Sequence, residues 1–356
     1  MKNGKAKLRR GPGVRIGGQM RSRRARGDGR GLYAALDLGT NNCRLLVAMP
    51  EAQGFRVVDA FSRIVRLGEG LERDGRLAEA AIERTIGALR VCAAKIAKKN
   101  IAGLRNVATE ACRRAANGGD FLNRVQEETG LAFDVISPRE EAQLALTGCA
   151  PLLVADQPYG LVFDIGGGST EIMWIVQTGD GMNGTGVQLI DSLSIPLGVV
   201  SLAERHGGDR ISAVAYDVMI DCITAEIAEF ESRNQINEHI DRGEVQMLGT
   251  SGTVTTLAGI HLKLPVYDRS SVDGCFLEFD QIKEVTRYLL SLDYAGRATE
   301  PCIGAARADL VLAGCAILDA ICRIWPVGRL RVADRGVREG ILFNLMNKST
   351  ADVGSV

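Results

Sequence analysis

Phe163-Asp164-Ile165-Gly166-Gly167-Gly168-Ser169-Thr170-Glu171 decides the fold, because it is half of a repeat. Residues 160–164 form an apolar run ending in an acid. The glycines after it form a turn before a second strand over 171–177. The same grammar stands 127 positions earlier: 32–37 is a buried strand closing on Asp37, Gly39-Thr40-Asn41-Asn42 is a turn, and 44–49 and 55–62 continue as strands of a meander. A repeat that long is a duplicated domain, not a solenoid unit. Two mixed α/β halves facing each other bring both glycine turns to a shared cleft.

Working outward, residues 78–99 carry apolar positions at helical spacing (Ala81, Ile82, Ile86, Leu89, Cys92, Ala93, Ile96). A strand over 104–109, a helix over 119–129, a strand over 133–136 and a helix over 138–150, opened by Pro138, complete the first copy. The second continues with a strand at 187–194, helices at 199–206 and 211–232, a strand at 245–249 and a helix after Ser251-Gly252-Thr253. Helices at 279–291 and 304–324, a strand at 329–333 and a helix at 337–347 follow. The expected domains are 32–150 and 151–335, with 336–356 a closing helix and tail packing back on the first.

The chain has 356 residues, 46% of them hydrophobic, and balances 43 Lys+Arg against 43 Asp+Glu. That length favours two domains, and that composition excludes a disordered or collagen-like chain. No apolar run approaches the ~20 residues of a membrane span, and the basic N-terminus lacks the apolar core of a secretory signal. A cytoplasmic protein with no membrane partner is expected. The zero net charge hides an asymmetry: residues 1–31 carry eleven Lys/Arg and one acid, Asp28, so this arm is +10 and the remainder −10. Rich in Gly and Arg, the arm reads as disordered: a solvated tail, the translation of a stretch upstream of a start at Met20, or a contact for RNA or another polyanion. The nine cysteines include no C-x-x-C, and Cys149, Cys315 and Cys322 lie in apolar stretches, which points to buried reduced thiols. With three histidines (206, 239, 261) lacking ligand spacing, proton transfer falls to carboxylates.

Glycine turns between strands expose backbone N–H groups to phosphate oxygens. There are three: 39–42, 166–169 and 249–253, the last opening a helix whose N-terminus favours anions. Asp164 and Glu171 flank the second turn, and a hairpin there brings both acids beside bound phosphates. Hard oxygen ligands next to phosphate suit Mg²⁺; the alternative is that Asp164 caps the turn and Glu171 is solvated. No G-x-x-x-x-G-K-[ST] occurs, which argues against a P-loop NTPase. What remains is the duplicated ribonuclease-H-like, two-lobed fold of actin, sugar kinases and heat-shock ATPases, with an interdomain cleft.

From about Tyr33 to Leu345 the chain resembles the exopolyphosphatase / guanosine pentaphosphate phosphohydrolase (Ppx/GppA) family. The resemblance is carried by Leu36-Asp37-Leu38-Gly39-Thr40-Asn41-Asn42-Cys43-Arg44-Leu45, Val65-Arg66-Leu67-Gly68-Glu69-Gly70-Leu71, Ala108-Thr109-Glu110-Ala111-Cys112-Arg113 and Ile136-Ser137-Pro138-Arg139-Glu140-Glu141-Ala142. It continues through 164–171, Ile195-Pro196-Leu197-Gly198, Gly249-Thr250-Ser251-Gly252-Thr253, Arg307-Ala308-Asp309 and Asp334-Arg335-Gly336-Val337-Arg338-Glu339-Gly340. The string 164–171 with Glu-Glu-Ala upstream is specific, and sugar kinases lack it.

The resemblance implies a Mg²⁺-dependent hydrolase releasing terminal orthophosphate from inorganic polyphosphate or pppGpp, and a homodimer. It places Glu141 as the base orienting a water for in-line attack, with Glu140 as the alternative if the helix is rotated and pairing with the helix dipole as the structural role. It places Asp164 and Glu171 at the metal. Phosphate contacts fall to Gly39, Thr40, Asn41, Asn42, Gly166, Gly167, Gly168, Ser169, Gly252, Thr253 and Arg113, beside which Arg114 is an equal candidate by chemistry. Two departures stand out. The family commonly has Gly-Ser-Asn-Ser in the first loop, so Asn42 puts an amide where a hydroxyl is usual. Longer members add a helical C-terminal region, so a shorter substrate track is expected here. A sugar-kinase-like phosphotransferase and a non-catalytic alarmone- or polyphosphate-binding regulator are the competing readings; the Glu141–Asp164–Glu171 set argues against both.

Overall fold

The computed structural model describes residues 31–52, 54–179 and 186–353; the basic arm, apart from Gly31, lies outside them. Five strands form the first sheet: β1 (Leu32–Leu38), β2 (Asn42–Pro50), β3 (Phe55–Ile64), β4 (Ile101–Ala108) and β5 (Asp134–Val135), in the order β3-β2-β1-β4-β5. The second holds β6 (Tyr159–Ile165), β7 (Thr170–Gln177), β8 (Val187–Ile195), β9 (Val245–Thr250), β10 (Phe276–Glu278) and β11 (Arg329–Ala333), in the order β10-β11-β9-β6-β7-β8. Setting β6 on β1 aligns the two sheets strand for strand, with β10 added at an edge. In both, the opening hairpin is antiparallel and the next neighbour parallel. The turns agree in detail: Gly39 N donates to Asn42 O at 2.9 Å, and Gly166 N to Ser169 O at 2.9 Å.

Both sheets are covered on both faces, which is why their central strands read as continuous apolar runs. Alternate residues of β1 serve different cores. Ala34, Leu36 and Leu38 pack with Ile82, Ile86, Leu89 and Phe121 of the helices Glu79–Ala97 and Gly118–Thr129, whereas Tyr33 and Ala35 face a middle core. In β6, Leu161, Phe163 and Ile165 join an outer core with the helices Ala213–Asn234, Gly252–His261 and Val311–Ile324, while Val162 faces the middle.

Two helices fill that middle layer and exchange sheets. The linker helix Pro138–Cys149 leaves the first sheet and packs on β7 and β8 of the second. The closing helix Val337–Val353 leaves the second and packs on β1, β2 and β4 of the first. Where they meet, backbone touches backbone. A Cβ on Gly148 would stand 2.1 Å from Gly336 O, and one on Gly340 2.0 Å from Leu144 O.

Two local differences from the sequence expectation have clear causes. The helix expected from 304 begins only at Val311, because Gly304 takes φ 71° and 301–310 form successive turns. The short helices Glu110–Arg114, Ile236–Asp241, Arg269–Val272 and Tyr294–Thr299 are too brief to show a helical period. Among the described residues all nine cysteines are free, with Cys149 and Cys315 buried and Cys322 partly so. No described helix is long and apolar enough to cross a membrane.

Substituting Gly340→Ala should test the helix crossing. A methyl group there has no space to enter, so equilibrium denaturation should show a loss of about 1–3 kcal/mol or more, whereas Gly87→Ala, with open space around its Cβ position, should show none.

Candidate active site

The repeated hairpins end at one cleft of about 980 Å³. Of the residues picked out in the sequence, Gly39, Thr40, Asn41, Asn42, Glu141, Asp164, Gly166, Gly167, Gly168, Ser169, Gly252 and Thr253 line it. The two turns are packed against each other. A Cβ on Gly167 would come 3.0 Å from Thr40 Cβ and 3.1 Å from Asn41 N, and one on Gly168 would come 2.7 Å from Thr40 Oγ1. The glycines thus let two lobes approach to backbone contact.

That contact leaves donors free. Among the described residues, none accepts a hydrogen bond from the N–H of Thr40, Asn41, Gly167 or Gly168. Buried or half-buried N–H groups without partners are uncommon, and a cluster from two loops is a ready receptor for anionic oxygen. Gly252 N, at the start of the helix Gly252–His261, also lacks a partner, whereas Ser251 Oγ already accepts from Thr253 N (3.1 Å) and Val254 N (3.2 Å). Asn41 Oδ1 is buried and unpaired.

Glu141 enters from the first turn of the linker helix. Pro138 opens that helix and Ser137 Oγ caps it by accepting from Glu140 N at 3.2 Å. The helix phase separates the two acids. Glu140 turns outward to Arg105 Nη2 at 2.6 Å, and Glu141 turns into the cleft. Arg113 is not among the cleft-lining residues. It lies behind Glu141 and holds it: its guanidinium donates to Glu141 Oε2 (3.1 Å), Glu110 Oε2 (2.7 Å) and Ile136 O (2.6 Å). Arg114 points elsewhere, to Glu72 Oε1 at 2.6 Å.

Asp164 and Glu171 face each other across β6 and β7 as register partners. Glu171 lies below the cleft lining, 2% exposed, its Oε1 accepting from Ser169 Oγ (2.6 Å) and Ser194 Oγ (3.0 Å). Asp164 lines the cleft, and its carboxylate, like that of Asp37, makes no hydrogen bond or ion pair among the described residues. Burial holds all four acids toward their neutral forms. Asp164 is pushed up to about 7 by burial and then by the Glu141 charge, with Arg44 opposing. Burial and Asp164 raise Glu171, while Ser169, Ser194 and Arg113 oppose them. Glu141 is raised well above the usual carboxylate range by burial and Glu171, against Arg113. Asp37 is raised by burial, against Arg44 and Arg338.

Is this a fit for a divalent cation? No group of three or more His, Cys, Asp or Glu side chains forms a ready ligand cluster among the described residues. An ion that keeps several waters and takes the rest of its shell from phosphate needs only one or two carboxylates, and the unpaired Asp164 carboxylate backed by Glu171 meets that need. The residues fit.

The sequence reading gave no role to Arg44, Glu110, Ser251 or Arg307, all of which line the cleft. One was recoverable by arithmetic: Arg44 stands opposite Asp37 as Glu171 stands opposite Asp164, 127 positions apart. The Arg307 side chain makes no hydrogen bond or ion pair among the described residues, and nothing local to its turn marks it as a cleft residue.

Fold and cleft together define a two-lobed protein of the actin-like architecture. Residues 46–349 match the model of the Ppx/GppA phosphatase family, so the chain belongs to that family. Among solved structures, the Aquifex aeolicus Ppx/GppA family member is 29% identical, over 90% of this chain and 99% of that one, with a TM-score of 0.73. An exopolyphosphatase-like protein is 30% identical over 88% and 97%, with a TM-score of 0.78. An exopolyphosphatase from Cytophaga hutchinsonii, 20% identical over 89% and 98%, shares the fold with a TM-score of 0.78.

The raised Asp164 has a signed consequence for stability. The folded chain retains a proton that the unfolded chain, titrating near 3.8, has released, so this contribution is full below about pH 4 and lost as pH rises through about 7. Asp164→Asn should therefore gain in melting temperature over the parent chain between about pH 5 and about pH 8 in chelator. A difference independent of pH would show that Asp164 is ionised throughout.

Proposed function

We propose that this chain is a Mg²⁺-dependent phosphoanhydride hydrolase that removes terminal orthophosphate from inorganic polyphosphate. The observation that carries the reading is a half-buried carboxylate, Glu141, opening onto the same cleft as unpaired N–H groups from two opposed turns. The turns hold the oxygens of the terminal phosphate, and Arg44 and Arg307 add positive charge along the lining. Bound at Asp164, with Glu171 behind it, Mg²⁺ supplies neutralisation of phosphate charge.

Glu141 accepts a proton from the attacking water as its oxygen bonds to phosphorus, the bridging P–O bond breaks, and the shortened chain leaves with that electron pair. Arg113 fixes the carboxylate at 3.1 Å and offsets part of the burial that would keep it protonated. Its grip through Glu110 and Ile136 O restricts the rotation of Glu141, so the base is held rather than found.

Polyphosphate is favoured because no aromatic side chain lines the cleft among the described residues, leaving nothing to stack on a purine. The second reading, removal of the 5′-terminal phosphate of pppGpp, is supported by the apolar Ile303, Leu310 and Val311, which line the cleft along with Arg307.

Orthophosphate release from long polyphosphate, tripolyphosphate, pppGpp and ATP, with Mg²⁺ and with chelator, separates these readings. Metal-dependent release from polyphosphate well above that from ATP is expected; release from pppGpp alone supports the second reading. Silence on all four, with polyphosphate still bound, means a sensor rather than an enzyme. Glu141→Gln should keep tripolyphosphate binding and lose about 10²–10⁴-fold in kcat; unchanged turnover would remove Glu141 from the mechanism.

A further inference from the structure

Two sequence strings remain without a function: Val65-Arg66-Leu67-Gly68-Glu69-Gly70-Leu71 in the first lobe and Arg307-Ala308-Asp309 in the second. They meet. Arg66 Nη1 donates to Asp309 Oδ2 and Nη2 to Asp309 Oδ1, both at 2.8 Å, and Nη2 also donates to Ala306 O at 3.1 Å. The pair joins residues 243 positions apart and spans the two lobes.

Each end is tied directly to the cleft. On the first-lobe side, Val65 N (2.8 Å) and Arg66 N (3.1 Å) both donate to Asn41 O, and Gly68 N donates to Thr40 O at 2.9 Å. The backbone of the first phosphate turn therefore hangs on the loop that carries Arg66. On the second-lobe side, Asp309 lies two residues from Arg307, which lines the cleft. Moving Asp309 away from Arg66 would displace both the turn 39–42 and Arg307.

Arg66 is also held in an uncommon conformation. Its φ of 48° is the left-handed region, which costs a residue with a β-carbon and persists only where surroundings over-determine it. Here Asn41 O takes its N–H, Arg84 Nη2 donates to its carbonyl at 3.3 Å and also grips Glu69, and Asp309 takes its side chain. The side chains of the pair are 32% and 24% exposed, so water reaches both. A bidentate Arg–carboxylate pair at the edge of solvent has directional strength but can be released, unlike a buried pair. A second tie runs alongside: Gly70 N donates to Glu204 Oε1 at 2.8 Å, and Arg205 Nη2 to Glu72 Oε2 at 2.7 Å.

We propose that Arg66 and Asp309 form a latch between the lobes that holds the turn 39–42 and Arg307 together against a bound phosphate chain. The latch rests on reading the cleft as a phosphate site. Both are positioning residues: neither touches the phosphorus, and each acts through a neighbour that lines the cleft. Opening the latch admits or releases a polyanion too long to thread into a closed cleft, and closing it restores the contacts that attack on the terminal phosphate requires.

The test combines a mutant cycle with a distance. Arg66→Ala, Asp309→Ala and the double variant should each melt cooperatively and raise KM for tripolyphosphate about tenfold, with kcat changing far less. The double variant should be no worse than the worse single. The exchanged pair Arg66→Asp with Asp309→Arg should recover part of the loss. Spin labels on the exposed native Cys222 and on Glu127→Cys should give one narrow interlobe distance in the parent and a broader, longer distribution in each single variant. Additive single effects, or distances unchanged in the variants, would overturn the latch. If the parent hydrolysed neither polyphosphate nor pppGpp, the functional reading would fall, while the spin-label distances would still decide whether the pair holds the lobes together.

Discussion

The constraint on which everything else depends is the contact between the two turns. Gly167 and Gly168 lie so close to Thr40 and Asn41 that a single methyl group would force them apart. One anion can be bound by both lobes only because this contact places unpaired N–H groups from each within a common space. Bare glycine backbone is flexible in isolation, so the turns need outside bracing. The second receives it from Val199 N to Gly166 O (3.0 Å) and Val200 N to Gly167 O (2.8 Å), the first from the loop after β3. Gly198 completes the set, since a Cβ there would stand 2.5 Å from Gly167 C and O. Preorganised donors of this kind are aimed before the ligand arrives and need little rearrangement to bind it.

The second consequence is electrostatic. Four carboxylates, Asp37, Glu141, Asp164 and Glu171, crowd one another, Glu171 buried and the other three half-buried, and desolvation raises the proton affinity of each. Arg44, Arg113 and Arg338 offset part of that charge, and only Arg113 does so through a direct bond to one of the four. Such an arrangement opposes folding at neutral pH, because uncompensated charge in a low-dielectric site is expensive. Hydrophobic burial in three separate cores has to outweigh it. Its persistence in the fold is explained by function more readily than by stability: the site is left short of positive charge, which the proposed divalent cation would supply.

Much of this was legible in the sequence, for identifiable reasons. The apolar runs before Asp37 and Asp164 announced strands buried on both faces, and the Asp-x-Gly spacing fixed both turns and their duplication. The capping pattern at Ser137-Pro138 located the helix that carries Glu141. The choice between Glu140 and Glu141 was not legible from spacing, since both lie in one helical turn and only the tertiary position of the helix decides which faces the cleft. Arg113 illustrates the same limit. Its chemistry suits phosphate, yet one acceptor on its own short helix (Glu110) and two fixed by distant elements (Ile136 O and Glu141) hold it behind the base. The onset of the helix at Val311 was hidden too, because the apolar period continues upstream through turns that Gly304 initiates.

Duplication explains the asymmetry of the site as well as its symmetry. The two hairpins superpose turn for turn, and the residue facing the strand-end aspartate occupies one register position in both. In the first copy that position is Arg44; in the second it is Glu171. Had both copies kept an acid, a further carboxylate would join Asp37, Glu141, Asp164 and Glu171, and phosphate would be repelled from both walls. Had both kept an arginine, each aspartate would be neutralised in place, with no charge left over to retain a cation. One substitution of each sign gives the cleft a positive wall and a negative wall, and the proposed pairing of a phosphate chain with a divalent cation would use both. The two hairpins thus differ in sign of charge at one pair of equivalent positions, on a shared register and turn hydrogen bond.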